Sequence, residues 1–167
     1  NGFHSLSREF YMHCLAFRSA PDVVPRPYAF VKCPDLARRM VMEDVGKDAV
    51  EFRHVVNNYE RRLVTFRKGE ERQRAAKVEL ALDTKLVAYV VLDASKFLRK
   101  LLDDGLSHGD LNTRNILLLP CSGCGCKLNR ILWVDTDPIC SCTDSPHCSH
   151  PVKYIDFGQT TSVTPEE

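Results

Sequence analysis

The chain has 167 residues, 44% hydrophobic and 27% charged, which is enough apolar mass for one folded core and excludes wholesale disorder. Lys and Arg number 23 against 22 Asp and Glu, a net charge of +1, so nothing global points to nucleic acid or an anionic membrane. No apolar run approaches the roughly 20 residues of a membrane-spanning helix. The first residue is Asn1 rather than Met and no signal-peptide pattern follows, which reads as a segment cut from a longer protein.

In chain order, Ser5 or Ser7 is placed to cap a helix running to about Ser19, with Leu6, Phe10, Cys14 and Phe17 on one apolar face. Pro21, Pro25 and Pro27 end it and force extended chain. Residues 28–33 and 39–43 read as two strands of a hairpin, with a turn at Pro34-Asp35 and a break at 44–46. A helix is expected over 47–66, with Val50, His54, Val55 and Leu63 near one face. The stretch from Lys47 to Lys77 has nine basic and five acidic residues, which is read as a solvated helix face rather than a nucleic-acid patch. The strongest helix runs from about Glu70 to Asp103, with Leu82, Leu86, Val90, Ala94, Phe97, Leu98 and Leu101 in one stripe and a stop at Gly105. Short strands are expected at 116–119, at 130–134 and at 152–155.

Two motifs carry chemistry. The first is Ser107-His-Gly-Asp-Leu-Asn-Thr-Arg-Asn115, and the second is Tyr154-Ile-Asp-Phe-Gly158. Asp110 is suited to accept a hydrogen bond from a substrate hydroxyl, while Asn115 and Asp156 offer the hard oxygen ligands that magnesium prefers. Gly158 is expected to let the chain turn sharply after the metal ligand. Either motif alone is weak. Together and in order, each beside a strand and both after a long helix, they are much more specific.

On these residues the sequence resembles the protein kinase superfamily. His108-x-Asp110-x-x-x-x-Asn115 is similar to the catalytic loop, and Asp156-Phe-Gly158 to the metal-binding triplet. The resemblance implies an α+β kinase-like fold present in part. Residues 1–46 would be the end of the small lobe and 47–167 the first part of the large lobe. It implies a hinge at Met42-Glu-Asp-Val-Gly46, where the backbone around Glu43 and Val45 would meet the adenine of ATP. Glu9 would be the helix glutamate that pairs with a nucleotide-positioning lysine, though a solvated helix glutamate reads almost as well. The roles implied are Asp110 orienting and deprotonating the acceptor hydroxyl, Asn115 and Asp156 holding magnesium, and His108 bracing the loop. Arg114 would contact substrate or phosphate, or simply be solvated.

The sequence departs from the family pattern. A glycine-rich phosphate loop and strand lysine would lie before Asn1, and an activation segment after Glu167. The loop reads His108-Gly-Asp110 rather than His-Arg-Asp, which removes the cation that would receive an activation-loop phosphate. That triplet resembles small-molecule phosphotransferases, RIO-like kinases and fungal kinase-like proteins. The last of these are also echoed by Val24-Pro-Arg-Pro-Tyr28. Asn112 stands where serine/threonine kinases usually carry lysine, which puts ordinary serine/threonine specificity in doubt.

Eight cysteines are unevenly spread: Cys14 and Cys33 stand apart and read as core residues, while six fall between Cys121 and Cys148. Those six lie in an insertion at about 120–151, because Asn115 and Asp156 are 41 positions apart where ordinary kinases need about a dozen. Three readings stay open: a structural zinc held by Cys121, Cys124, Cys140 and Cys142, a reduced flexible loop, or disulfides. His147, Cys148 and His150 are further ligand candidates. A kinase-like core implies the cytosol or nucleus.

The expected function is ATP-dependent phosphate transfer to a hydroxyl acceptor, a protein slightly ahead of a small molecule, with magnesium and, in the insertion, zinc as the cofactors. Neither a membrane nor nucleic acid is an expected partner. The alternative is an inactive pseudokinase or interaction module with a zinc-stabilised insertion.

Overall fold

Ten elements follow one another in the computed structural model, which describes residues 3–33, 38–68, 73–121 and 151–163. Helix α1 spans Phe3–Ser19, and strands β1 (Pro27–Lys32) and β2 (Arg38–Met42) form an antiparallel hairpin. A short β3 (Val50–Glu51) leads into α2 (Phe52–Lys68), and α3 covers Gln73–Asp103. Strands β4 (Leu106–Ser107), β5 (Ile116–Leu118), β6 (Val152–Tyr154) and β7 (Thr161–Ser162) complete the order, so the chain is α+β with small antiparallel sheets. No helix among the described residues is long and apolar enough to cross a membrane.

The β1–β2 pair has Phe30 opposite Met40 and Val31 opposite Arg39, with an irregularity between Pro27 and Ala29. Proline supplies no ladder donor, so it suits that strand-end position. Phe30 reaches back to Phe10 of α1, ring centroids 6.0 Å apart. The central sheet has the order β3-β5-β6, with Val50 opposite Leu118 and Ile116 opposite Tyr154. Along β5 and β6 burial alternates: Ile116, Leu118, Val152 and Tyr154 point inward, while Leu117 and Lys153 are half-buried. That is the period of two expected of a one-sided strand. The third sheet joins β4 to β7.

The core lies between α1, α3 and the β3-β5-β6 sheet. Alpha 3 contributes Leu86, Val90, Phe97 and Leu101, as its apolar stripe predicts, and ends before Gly105, which has φ +71°. The inner face of α1 differs from expectation. Leu6, Phe10, Cys14 and Phe17 are half-buried, and the innermost residues are Met12, His13 and Ala16. The helix is turned so that His13 meets the aromatic cluster described below.

Three further expectations are corrected. Val50 belongs to a strand rather than to the following helix, because it pairs with Leu118. His54 is exposed while Val55 is buried, so the buried face of α2 runs through Phe52, Val55 and the polar Asn58. Cys14 and Cys33 are half-buried rather than core residues. The turn expected at Pro34-Asp35 and the strand expected at 130–134 lie outside the described residues.

Candidate active site

The site grows from the turn after α3. Residues 108–115 connect β4 to β5, and residues 155–160 connect β6 to β7, so the two motifs face each other across two pairs of strands. The N–H of Ile155 donates to the carbonyl of Asn115 at 3.0 Å, which sets Asp156 next to the end of the first loop. The Asn115 side chain is buried and donates through Nδ2 to the carbonyl of Asp110 at 2.9 Å. Its amide nitrogen is thereby used inside the protein, which leaves the side-chain oxygen as the group able to ligate a cation.

Asn112 bridges the rest of the loop. Its Nδ2 donates to Oδ1 of Asp110 at 3.1 Å, and its Oδ1 accepts from the Arg114 amide at 2.9 Å. Asp110 and Arg114 are thus held by one amide side chain while both remain exposed.

Asp156 has φ +62°, a left-handed conformation that costs a non-glycine residue about 1–3 kcal/mol and persists only where the surroundings enforce it. Those surroundings are the Ile155–Asn115 bond on one side and buried Phe157 on the other. The turn therefore strains Asp156 itself. Gly158, expected to provide the sharp bend, shows no positive φ. A Cβ there would lie 3.3 Å from Oδ1 of Asp156 and 3.7 Å from the Glu9 carboxyl carbon, so the glycine keeps room beside two carboxylates. Burial first, and then the charge of Asp156, push the Glu9 carboxyl above its ordinary pKa. Glu9 is accordingly one wall of the site rather than a solvated helix residue.

An aromatic cluster lies beneath these carboxylates. The Phe157 ring packs edge-on against His13 (4.9 Å) and tilted against His108 (4.8 Å). Phe97 stacks flat on Tyr154 at 4.0 Å, and the Tyr154 hydroxyl donates to Asp93 at 2.7 Å. Burial first, and the bond to Asp93 second, push the Tyr154 phenol far above its usual range, so it stays a neutral donor. His13 and His108 are each 1% exposed. Each directs Nε2 to a backbone carbonyl, of Pro25 (2.6 Å) and Ile155 (3.3 Å) respectively. A carbonyl only accepts, so both Nε2 atoms carry the proton. Both Nδ1 atoms are buried with no partner among the described residues, and protonating them would bury a charge. Burial is the leading cause that lowers both imidazole pKa values.

That linkage has a definite sign. A histidine with a depressed folded pKa contributes stability fully present above the unfolded value of 6.5 and lost as pH falls toward the folded value. The urea midpoint should therefore drop steadily between pH 7.5 and 5. Glu9, with a raised pKa, acts in the opposite sense nearer the carboxylate range. A flat urea midpoint from pH 7.5 to 5 would show that the two imidazoles are not buried as neutral groups.

The other sequence-derived positions are placed as follows. Glu43 closes the hairpin: its N–H donates to Arg26 O (2.7 Å), its Oε2 accepts from Arg26 N (3.0 Å), and Lys153 Nζ lies 3.7 Å from that oxygen. The segment after β2 is thus tied to β6, the strand that leads to Asp156. Val45 is half-buried, and its backbone makes no hydrogen bond among the described residues. Cys121 is buried, at 2% exposure, and forms no disulfide among the described residues. Cys124, Cys140 and Cys142 lie outside the described residues, as do His147, Cys148 and His150. Among the described residues, no three His, Cys, Asp or Glu side chains converge as a metal cluster.

No family model, curated protein or solved structure matches this chain. The functional reading therefore rests on the geometry of the two loops. Sequence reasoning missed Asn112 as a bridge, Phe97 and Tyr154 as the floor, and Thr160, which is fully buried and donates to the His108 carbonyl at 3.2 Å. Two of these had a local signal: Phe97 lies on the apolar stripe of α3, and Tyr154 is a polar aromatic on the inward register of a buried strand.

Proposed function

We propose that this chain carries the phosphate-transfer centre of a protein-kinase-like enzyme that uses ATP and magnesium. The carrying observation is the interlocked set Asp110, Asn115 and Asp156: the Asn115 side chain fixes the Asp110 backbone, and the Asn115 backbone fixes the residue before Asp156. The order of elements, a helix and hairpin followed by a long helix and two facing loops, agrees with the kinase-like reading of the sequence.

The residues present suit magnesium. Asn115 and Asp156 are oxygen donors, and the Glu9 carboxylate, pushed above its ordinary pKa by burial and then by the charge of Asp156, is a further oxygen donor nearby. When bound there, magnesium neutralises charge on the ATP phosphates. The protein's own groups do the rest. Asp110 accepts a hydrogen bond from the acceptor hydroxyl and takes its proton as the hydroxyl oxygen bonds to the terminal phosphorus. The phosphorus–oxygen bond to ADP breaks, and ADP leaves with that electron pair. Asn112 holds the Asp110 carboxylate toward the acceptor, and His108 braces the loop through Ile155. The free backbone of Val45 is suited to the adenine edge.

The test is transfer of labelled terminal phosphate from magnesium-ATP by the full-length protein to a mixed panel of peptide and small-molecule hydroxyls. Asp110→Ala should lower transfer by about 100- to 10,000-fold, the usual range for a lost general base. Asp156→Ala should lower it at least as far. Unchanged turnover in Asp156→Ala, or turnover that survives removal of magnesium by chelation, would reject the assignment.

A further inference from the structure

We infer that Arg114 selects acceptors that carry a negative charge beside the reacting hydroxyl; this rests on the phosphate-transfer reading above. Arg114 is exposed, and only its backbone amide is engaged within the loop. Among the described residues no carboxylate pairs with its guanidinium. Two other arginines that touch these loops have partners of their own. The Arg53 amide donates to the Thr113 carbonyl at 2.9 Å, which brings α2 against the same loop, but its guanidinium lies 3.0 Å from Glu51 Oε2. The Arg8 guanidinium donates to the Thr160 carbonyl at 3.2 Å.

Arg114 thus carries a cation with no carboxylate partner among the described residues, on a backbone held beside Asp110 through Asn112. The hold is specific: Asn112 grips the Asp110 carboxylate with its amide nitrogen and the Arg114 backbone with its amide oxygen. An acceptor whose hydroxyl meets Asp110 therefore presents its neighbouring residues to Arg114. The rest of the site, with Asp110, Asp156 and Glu9, is acidic and by itself favours basic acceptors. One guanidinium at its edge reverses that preference locally, attracting carboxylates and repelling Lys or Arg. Its planar fork matches a carboxylate with two parallel hydrogen bonds, which an ammonium group does not.

The experiment compares Ser, Thr and Tyr peptides flanked by Glu, Ala or Lys, phosphorylated by the full-length protein from magnesium-ATP. The wild type should show kcat/KM about tenfold higher for Glu-flanked than for Lys-flanked peptides, as expected for one solvent-exposed charge contact of each sign. Arg114→Glu should invert that ratio, and Arg114→Lys should keep its direction but reduce it. A wild type indifferent to flanking charge, or an unchanged ratio in Arg114→Glu, would overturn this inference and leave phosphate transfer intact. Absence of transfer to any acceptor would overturn the phosphate-transfer reading and this inference with it.

Discussion

Gly109→Ala should destabilise the protein by about 3 kcal/mol or more, and the loss should fall on the loop that holds Asp110. Gly109 has φ +78°, and a Cβ built there would lie 2.3 Å from the backbone oxygen of Gln159 and 3.0 Å from its carbonyl carbon. The left-handed conformation alone costs an alanine about 1–2 kcal/mol. The overlap adds to this, because its partner is backbone rather than a flexible side chain. Gln159 cannot easily retreat. Its neighbour Thr160 is fully buried, donates through Oγ1 to His108 O, and accepts from Arg8 through its own carbonyl. Gly46 supplies the control, with φ +88° and nothing within 4 Å of its Cβ position. Gly46→Ala should therefore cost only about 1 kcal/mol. Equal urea midpoints for the two variants would show that the close approach of Gln159 contributes nothing.

This contact changes the meaning of one departure noted in the sequence. The glycine between His108 and Asp110 reads there as a missing cation. In the structure it is also a spacing requirement, because the segment after Asp156 returns across the loop within van der Waals contact. A side chain at 109 would lift the 157–160 segment away from His108.

What was legible follows from range. Strands β5 and β6, helix α3 and its stop at Gly105 are written in local patterns: short apolar runs, a continuous stripe and a glycine at the end. The order of Asp110, Asn115 and Asp156 is likewise local spacing, and their meeting follows once β5 and β6 pair. The misreadings all arise from long-range contact. Val50 looks helical by period but pairs with Leu118, far along the chain. The apolar face of α1 reads from its largest apolar residues, yet His13 is drawn inward because it packs on Phe157 and donates to Pro25. No hydrophobicity rule selects a histidine and an alanine over Leu6 and Phe10. The positive φ of Asp156 is also invisible in sequence, where the following glycine is the natural suspect.

Phe97→Ala should be the costliest of the simple truncations, about 3–5 kcal/mol, with loss of order reaching the two loops of the candidate site. Phe97 is 4% exposed and lies at the centre of the aromatic cluster. Its ring stacks on Tyr154 with a 2° interplanar angle and meets His108 and Phe157 edge-on at 6.3 and 6.5 Å. The residues it supports are the strand end before Asp156, the ring after it, and the histidine two positions before Asp110. A cavity there would leave His108 and Phe157 without a floor, and relaxation into it would release the strained turn at Asp156. Tyr154→Phe separates packing from polarity. It keeps the stacked rings and removes only the donor to Asp93, so it should cost about 1–2 kcal/mol. If phosphate transfer occurs as proposed, Phe97→Ala should lower it far more than Tyr154→Phe, since only the first disturbs both loops. Equal urea midpoints in the two variants would place the stabilisation in the Tyr154–Asp93 bond instead of the stack. The long helix would then position the site through one hydrogen bond rather than through its buried aromatic face.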